Sequence, residues 1–317
     1  MHQRRVRRTG RPRPSHHHST RRVRRITKRP RTTGRQAVPS PHPARRTWQS
    51  QSRSRDGDVQ MTAARLTDRV AIVTGASRGI GAAVARAYAA EGAAVAVAHE
   101  PRPEPTEQAE KLAAELAAAG AHVLPLAADL ADPDAVERLA AVTRSEFGGI
   151  DIVVNNAAAS SRAPWHELTV EEWDHVHQVN LRGSWLLTRA AYPDLRASEH
   201  ACVINVTSVM VETGQPGAVH YTASKAGIVG LTRALAREMG GDSIRVNAVM
   251  PGAIRTEHEA EVAPDPQAVF ERIVSAQSLK RRGYADDLTG AFVFLASDES
   301  SFITGQVLNV DGGWVHY

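Results

Sequence analysis

A doubly wound α/β fold, one parallel sheet with helices on both faces in a single domain, is the architecture this sequence predicts. Three observations predict it. Short Val/Ile/Ala-rich runs alternate with helix-like segments from residue 70 to residue 310. Those runs are continuously apolar instead of alternating with polar residues, as strands buried on both faces require. A glycine-rich turn joins the first run to the first helix, as where a parallel sheet holds a phosphate at a helix N-terminus.

The elements follow in order. Residues 70–74 (Val-Ala-Ile-Val-Thr) read as the first strand, and the Ala-rich stretch after the turn reads as a helix over 80–91. Further strands are expected at 93–98, 121–125, 151–154, 201–206, 244–249 and 306–310, and helices at 105–119, 133–147, 169–196, 221–239 and 284–296. Asp132-Pro133 is a start signal for the third helix. Residues 221–239 contain no Pro and are rich in Ala, Leu and Arg, which favours helix. Loops at the carboxyl ends of parallel strands build one crevice, and the chemistry-bearing residues fall in or beside those loops.

Tyr221 and Lys225 are four apart in Tyr-Thr-Ala-Ser-Lys, so a helix places phenol and ammonium on one face. An unperturbed phenol titrates near pH ~10, and an adjacent cation brings it toward proton transfer at neutral pH. Ser208, thirteen residues upstream at the end of an apolar strand, is placed to donate a hydrogen bond to a carbonyl oxygen in the same pocket. Alone, the Tyr and Lys also describe a surface pair. The second motif changes that balance: Gly75-Ala76-Ser77-Arg78-Gly79-Ile80-Gly81, spaced GxxxGxG between strand and helix. Its glycines allow a tight turn, let backbone N–H groups approach a pyrophosphate and let the helix pack closely on the strand.

Further motifs are Asp129-Leu130 after the third strand and Asn155-Asn156-Ala157-Ala158 after the fourth, then Asn180, Pro251-Gly252 and the tail Phe302 to Gly313. With these, the chain from about residue 66 to its C-terminus resembles the short-chain dehydrogenase/reductase family, in the branch with TGxxxGxG and YxxxK motifs. The resemblance implies a Rossmann fold and NAD(P)-dependent hydride transfer between nicotinamide and a carbonyl or secondary alcohol carbon, with no metal. It makes Tyr221 the general acid/base and Ser208 the group that holds the oxygen. Lys225 becomes both the cation beside Tyr221 and a contact to the nicotinamide ribose. Asn180 becomes a kink in its helix, holding a water on the proton path to Lys225.

The same resemblance places the cofactor against Gly75, Ser77, Arg78, Gly79, Ile80 and Gly81 of the turn, then against His99, Asp129 and Leu130. Asn156, Ala157, Ala158, Tyr221, Lys225, Pro251, Gly252, Ile254 and Thr256 complete that set. Asp129 also reads as an ordinary helix-start acid, and Asn155 and Asn156 as turn formers. Ala158 stands where the family usually has Gly, which implies a small local adjustment.

An acid at the end of the second strand selects NAD by binding the ribose hydroxyl and repelling a phosphate. That position is His99 here, followed by Glu100 and, nearby, Arg102. The missing acid, Arg78 and Arg102 lean the reading toward NADP(H) over NAD(H), while Glu100 argues the other way. The expected partner is a small carbonyl or alcohol substrate. Its selection is assigned to the charged stretch from Pro251 to about Arg282, with Glu257, His258, Glu259 and Glu261, and to Trp165, Met210, Val211 and Gln215. Such loops are mobile and carry specificity. The resemblance also implies a homotetramer, with the helices near 169–196 and 221–239 forming one interface.

The overall charge of +5 conceals two opposite halves. Residues 1–60 hold 18 Lys and Arg against Asp56 and Asp58, while the remaining 257 residues hold 21 basic and 32 acidic groups, net −11. The first sixty residues, rich in Arg, Pro, Ser and Thr, are too polar to fold and form a basic extension. Met61 reads as a natural start for this family, so the segment is either a start-site misassignment or an arm for nucleic acid or an anionic surface. It lacks the aromatic interleaving of a nucleic-acid binder, so nucleic acid is not the expected partner. Residues 61–317 form the oxidoreductase domain.

No stretch approaches the ~20 apolar residues of a membrane span. Cys202 is the sole cysteine, has no internal partner and reads as core packing, which fits a reducing cytoplasm. His166, His175, His177, His220 and His258 share no metal-like spacing and are expected at the surface or lining a pocket. The alternative function is a non-catalytic, cofactor-sensing or regulatory protein. The complete set of Asn180, Ser208, Tyr221 and Lys225 argues for catalysis.

Overall fold

The computed structural model of the chain describes residues 64–257, 259 and 265–316. The extension at 1–60, and His258 and Glu261 of the charged loop, lie outside the described residues. The chain builds β1 (Val70–Thr74), α1 (Gly79–Ala90), β2 (Ala94–His99), α2 (Pro103–Ala118), β3 (Val123–Ala127), α3 (Pro133–Phe147) and β4 (Ile152–Asn155). Next come α4 (Val170–His177), a π-helical turn (Gln178–Arg182), α5 (Gly183–Ala197) and β5 (Cys202–Val206). The short α6 (Met210–Thr213), α7 (Val219–Met239), β6 (Arg245–Pro251), β7 (Ile254–Arg255) and α8 (Pro266–Ala276) lead to β8 (Gly283–Tyr284), α9 (Asp286–Ala296) and β9 (Val307–Val310).

Seven of these strands form one sheet in the order β3-β2-β1-β4-β5-β6-β9, and every pairing in it is parallel. From β1 the chain runs outward to β3, then returns to lay β4 on the other side of β1. That reversal opens a crevice beyond the carboxyl ends of β1 and β4. Successive residues of β1 serve opposite cores. Ala71 and Val73 pack in the cluster that holds Val84 and Tyr88 of α1, Leu112 of α2 and Phe292 of α9. Val70 and Ile72 belong to the cluster that holds Leu139 of α3, Leu187 of α5 and Met239 of α7. Two buried faces explain why these strands read as unbroken apolar runs. Pro125 lies in β3, at the sheet edge, where a missing N–H is tolerated.

Besides adding the short α6, β7 and β8, the structure departs from the expected elements in two places. The helix expected over 169–196 is divided by the π turn, which contains Asn180. Asn is a poor interior helix residue because its amide competes for backbone partners, and here that amide bonds the backbone of Ala159. The stretch read as a mobile specificity loop contains α8. Asp265 caps it by accepting from Gln267 N and Ala268 N, and Pro266 occupies the first turn. That Asp-Pro pair is a start signal of the kind recognised at Asp132-Pro133.

Candidate active site

Tyr221 and Lys225 lie in the first two turns of α7, and Ser208 lies two residues beyond the end of β5. The carboxyl end of β5 and the start of α7 meet there. Thr207 donates to Lys225 O at 2.9 Å, and Lys225 Nζ donates to Val206 O at 2.8 Å. Lys225 is 2% exposed, and burial pulls its ammonium down to about 8. Its Nζ lies 5.8 Å from the centroid of the Tyr221 ring.

Burial raises the Tyr221 phenol above its ordinary value, and a hydrogen bond with Ser208 opposes that rise. The sequence assigns the lowering influence to Lys225, whereas here the group acting on the phenol in that direction is Ser208. Asn180 is buried at the π turn. Its side chain accepts from Ala159 N at 2.8 Å and donates to Ala159 O and to Ser224 Oγ, each at 3.0 Å. Its contacts therefore join the loop after β4 to α7 at the residue before Lys225.

The glycine-rich turn has the shape of an anion cradle. Gly75 and Gly79 take φ of 61° and 58°, in the left-handed region open to glycine. The side chain of Arg78, which precedes α1, makes no capping bond to the first turn of that helix. A Cβ on Gly81 would stand 2.2 Å from Gly75 O. These features fit a dinucleotide pyrophosphate at the start of α1, with Gly75, Ser77, Arg78, Gly79, Ile80 and Gly81 around it.

The segment after β4 braces this turn. Asn156 donates to Thr74 O and Gly75 O, while Thr74 Oγ1 accepts from the backbone N of both Asn156 and Ala157. Asn155 donates to Asn205 and Thr188, tying β4 to β5 and α5. Ala158 needs no left-handed backbone: among the described residues, Asp68 and Ser243 are the non-glycine positions with positive φ.

His99 ends β2, buried, with Nδ1 3.0 Å from Glu100 O. Glu100 is paired with Arg102 at 2.7 Å, and Arg78 reaches Glu104 at 3.5 Å. The Asp129 carboxylate accepts from Ala131 N, so it shapes its own loop, and Leu130 packs where a Cβ on Gly183 would stand 2.9 Å away. Pro251 ends β6, accepting from Val209 N, and Gly252 donates to Val310 O. Ile254 lies on β7, and Thr256 reaches the glycine turn: its Cγ2 is 3.4 Å from where a Gly79 Cβ would stand.

Three residues around the site carry contacts that the sequence did not assign to them. Thr74 ties the turn together, and its signal was a hydroxyl at a strand end. Arg282, 5% exposed, grips Glu259 at 2.6 and 2.8 Å and reaches Ala253 O at 3.4 Å, pinning the segment that carries Thr256. Nothing in the local pattern marks that long-range pair. His220 was expected at the surface or lining a pocket, yet it is fully inside, beside Tyr221.

Comparison with known proteins agrees with this geometry. A family model described as Enoyl-(Acyl carrier protein) reductase matches residues 75–315. The 3-oxoacyl-[acyl-carrier-protein] reductase FabG of Thermotoga maritima is 36% identical over 251 residues, covering 79% of this chain and 99% of that protein. D-threitol dehydrogenase of Mycolicibacterium smegmatis is 39% identical over 253 residues, covering 79% and 94%. The crystal structure of a blue fluorescent protein from a metagenomic library, in complex with NADPH, superposes with a TM-score of 0.74 at 34% identity, covering 80% and 100%. These relatives favour catalysis over the non-catalytic alternative. The chain belongs to the short-chain dehydrogenase/reductase family of NAD(P)-dependent oxidoreductases.

Proposed function

We propose that the chain interconverts a carbonyl and a secondary alcohol, with Tyr221 as the proton-transferring group. The observation that carries this is the half-buried Tyr221 ring with Lys225 Nζ 5.8 Å from its centroid, where Ser208 acts to lower the phenol. In the reducing direction Tyr221 gives its proton to the oxygen of the substrate, and Ser208 holds that oxygen. Lys225 keeps positive charge beside the phenol and binds the nicotinamide ribose. Asn180 serves the proton path to Lys225, supported by its bridge from Ala159 to Ser224. When bound, the nicotinamide supplies or accepts the hydride.

NADP(H) is the preferred cofactor in this reading. Glu100, the carboxylate that argues against a phosphate there, is paired with Arg102, and Glu104 lies 3.5 Å from Arg78, so each acid there has a cation beside it. The NADPH-bound structural neighbour supports the same choice. His99, Asp129 and Leu130 line the adenosine side, while Asn156, Ala157, Ala158, Pro251, Gly252, Ile254 and Thr256 line the rest.

The relatives are named for a 3-oxoacyl group and for D-threitol, so the substrate is proposed only as a small carbonyl or alcohol. No helix among the described residues is long and apolar enough to cross a membrane. Residues 61–317 form the enzyme domain in this reading, placed in the cytoplasm and assembled as a homotetramer through the α4–α5 and α7 surface. An apolar groove of about 540 Å³ between those helices, lined by Leu181, Trp185 and Leu231, supports that assembly.

The test is oxidation of NADPH and NADH by the full chain against a panel of ketones, quinones and 3-oxoacyl thioesters, with Tyr221→Phe as control. Turnover that the Phe variant abolishes supports the reading. Dinucleotide binding with no turnover on any member, or turnover unchanged in Tyr221→Phe, counts against it.

A further inference from the structure

His220 is 1% exposed and occupies the second position of α7, one residue before Tyr221. That helix begins without a side-chain cap, so other contacts fix its entry. Ser161 Oγ lies 2.9 Å from His220 Nε2, and Ala163 N donates to Gly217 O at 3.1 Å. A third tie runs through Asn180, which bonds both backbone groups of Ala159 and donates to Ser224 Oγ, whose hydroxyl donates to Tyr221 O at 2.7 Å. Residues 159–163 are therefore stitched to α7 on both sides of Tyr221.

The other ring nitrogen, Nδ1, is buried without a hydrogen-bond partner. An unpaired buried polar atom costs about 1–3 kcal/mol, and an aliphatic side chain would fill the space without that cost. What imidazole supplies, and Leu does not, is a polar Nε2 that hydrogen-bonds the Ser161 hydroxyl. We propose that His220 is a positioning residue: through its bond with the Ser161 hydroxyl it holds the loop 159–163 against α7 and fixes where Tyr221 stands relative to that loop.

Burial holds the His220 ring below its ordinary value. The charged groups facing it come from α4, where Glu172 favours the cation and His177 opposes it; Arg162 of the loop is exposed. The ring is neutral at neutral pH. A hydroxyl both donates and accepts, so when the ring takes a proton on the acid side Ser161 Oγ accepts from Nε2 and the tie is kept.

Hydrogen exchange across residues 157–169 of the full chain tests this, comparing wild type with Ser161→Ala, His220→Leu and His220→Gln at about pH 7.5 and about pH 5.5. The Gln amide oxygen reaches the place of Nε2 but does not titrate. At the higher pH, exchange at Ala159 and Ala163 quickens about fivefold to tenfold in the Ala and Leu variants and is unchanged in the Gln variant. At the lower pH, after correction for intrinsic rates, protection is kept in wild type and in His220→Gln. Unchanged protection in Ser161→Ala, or loss in His220→Gln equal to that in His220→Leu, overturns the proposal and leaves the ring a packing residue.

A kinetic arm with acetoacetyl-CoA and NADPH rests on the oxidoreductase reading. There KM rises in the Ala and Leu variants with kcat little changed, while His220→Gln keeps the wild-type KM. If wild type does not reduce acetoacetyl-CoA, that substrate fails and the exchange result alone decides the role of His220.

Discussion

The Asn156 amide donates to Thr74 O at 2.8 Å and to Gly75 O at 3.2 Å, and it lies 2.6 Å from where a Cβ on Gly81 would stand. The loop after β4 and the helix after β1 therefore compete for one space, and only glycine at 81 lets both occupy it. Gly81→Ala must push the Asn156 amide and the Gly75 carbonyl aside together. We expect a loss of about 2–4 kcal/mol in stability, in the range of overpacked or strained sites. Dinucleotide affinity falls at least tenfold, read by titration calorimetry. At Gly79 the added methyl meets Thr256 and Glu257 Oε2 at ordinary contact distances, so Gly79→Ala carries mainly the left-handed backbone cost of about 1–2 kcal/mol. Equal urea midpoints for the two variants would contradict this account.

Tyr221→Phe removes one oxygen from a half-buried ring that keeps its packing. Turnover should fall by about 10²–10⁴, the usual weight of a positioned acid or base. Dinucleotide affinity should change by less than about twofold, because the phenol oxygen acts on the substrate. Steady-state rates beside binding titrations separate the two. A matched fall in both would mean that the phenol serves binding instead of proton transfer.

Lys225 makes a stability prediction whose sign is fixed by its burial. The free amine loses its proton near 10.5 and the buried one at about 8. Between those values the unfolded chain holds a proton that the folded chain has released, so this group makes stability rise with pH across that window. Its burden is full below about 8. Lys225→Met, which loses the bond to Val206 O but also the buried charge, should raise Tm by about 3 °C at neutral pH while abolishing turnover. The gain should shrink toward pH 10.5. Thermal melts of both proteins across that range give the answer, and a gain that grows with pH would refute it.

The sheet was legible because its signal is repeated: seven Val/Ile/Ala-rich runs, most nearly unbroken in the central strands where both faces are covered, whereas the edge strands β3 and β9 are only part-buried. The glycine turn was legible because φ near 60° at Gly75 and Gly79 demands a residue type visible in the sequence. Contacts between distant segments were not legible. Ser161 and His220 are 59 residues apart, and Glu259 and Arg282 are 23 apart. No local periodicity records which side chains the fold brings together. The π turn falls between these cases: Asn180 was marked as a poor helix residue, but its partner Ala159 could be found only once β4 and α5 were placed.

Arg282 and Glu259 pair across the segment that carries Thr256 to the glycine turn. The Arg282 side chain is buried, whereas Glu259 is a quarter exposed, so the two ends of the pair are not equivalent. Arg282→Met removes the cation and leaves a carboxylate that water only partly solvates. The cost should be about 1–3 kcal/mol, less than for a pair buried at both ends. Adding Glu259→Leu removes the stranded carboxylate and should restore most of that loss. Function should follow a different rule. The double variant regains stability without regaining the link to Ala253 O, so Thr256 stays loosely held over Gly79. Dinucleotide affinity should fall by about threefold to tenfold in both variants, as expected when one or two hydrogen bonds no longer hold a binding segment. Urea unfolding and dinucleotide titration on the same three proteins test both halves. Affinity that recovers together with stability would show that the pair supports the fold alone, with no part in holding Thr256 over the glycine turn.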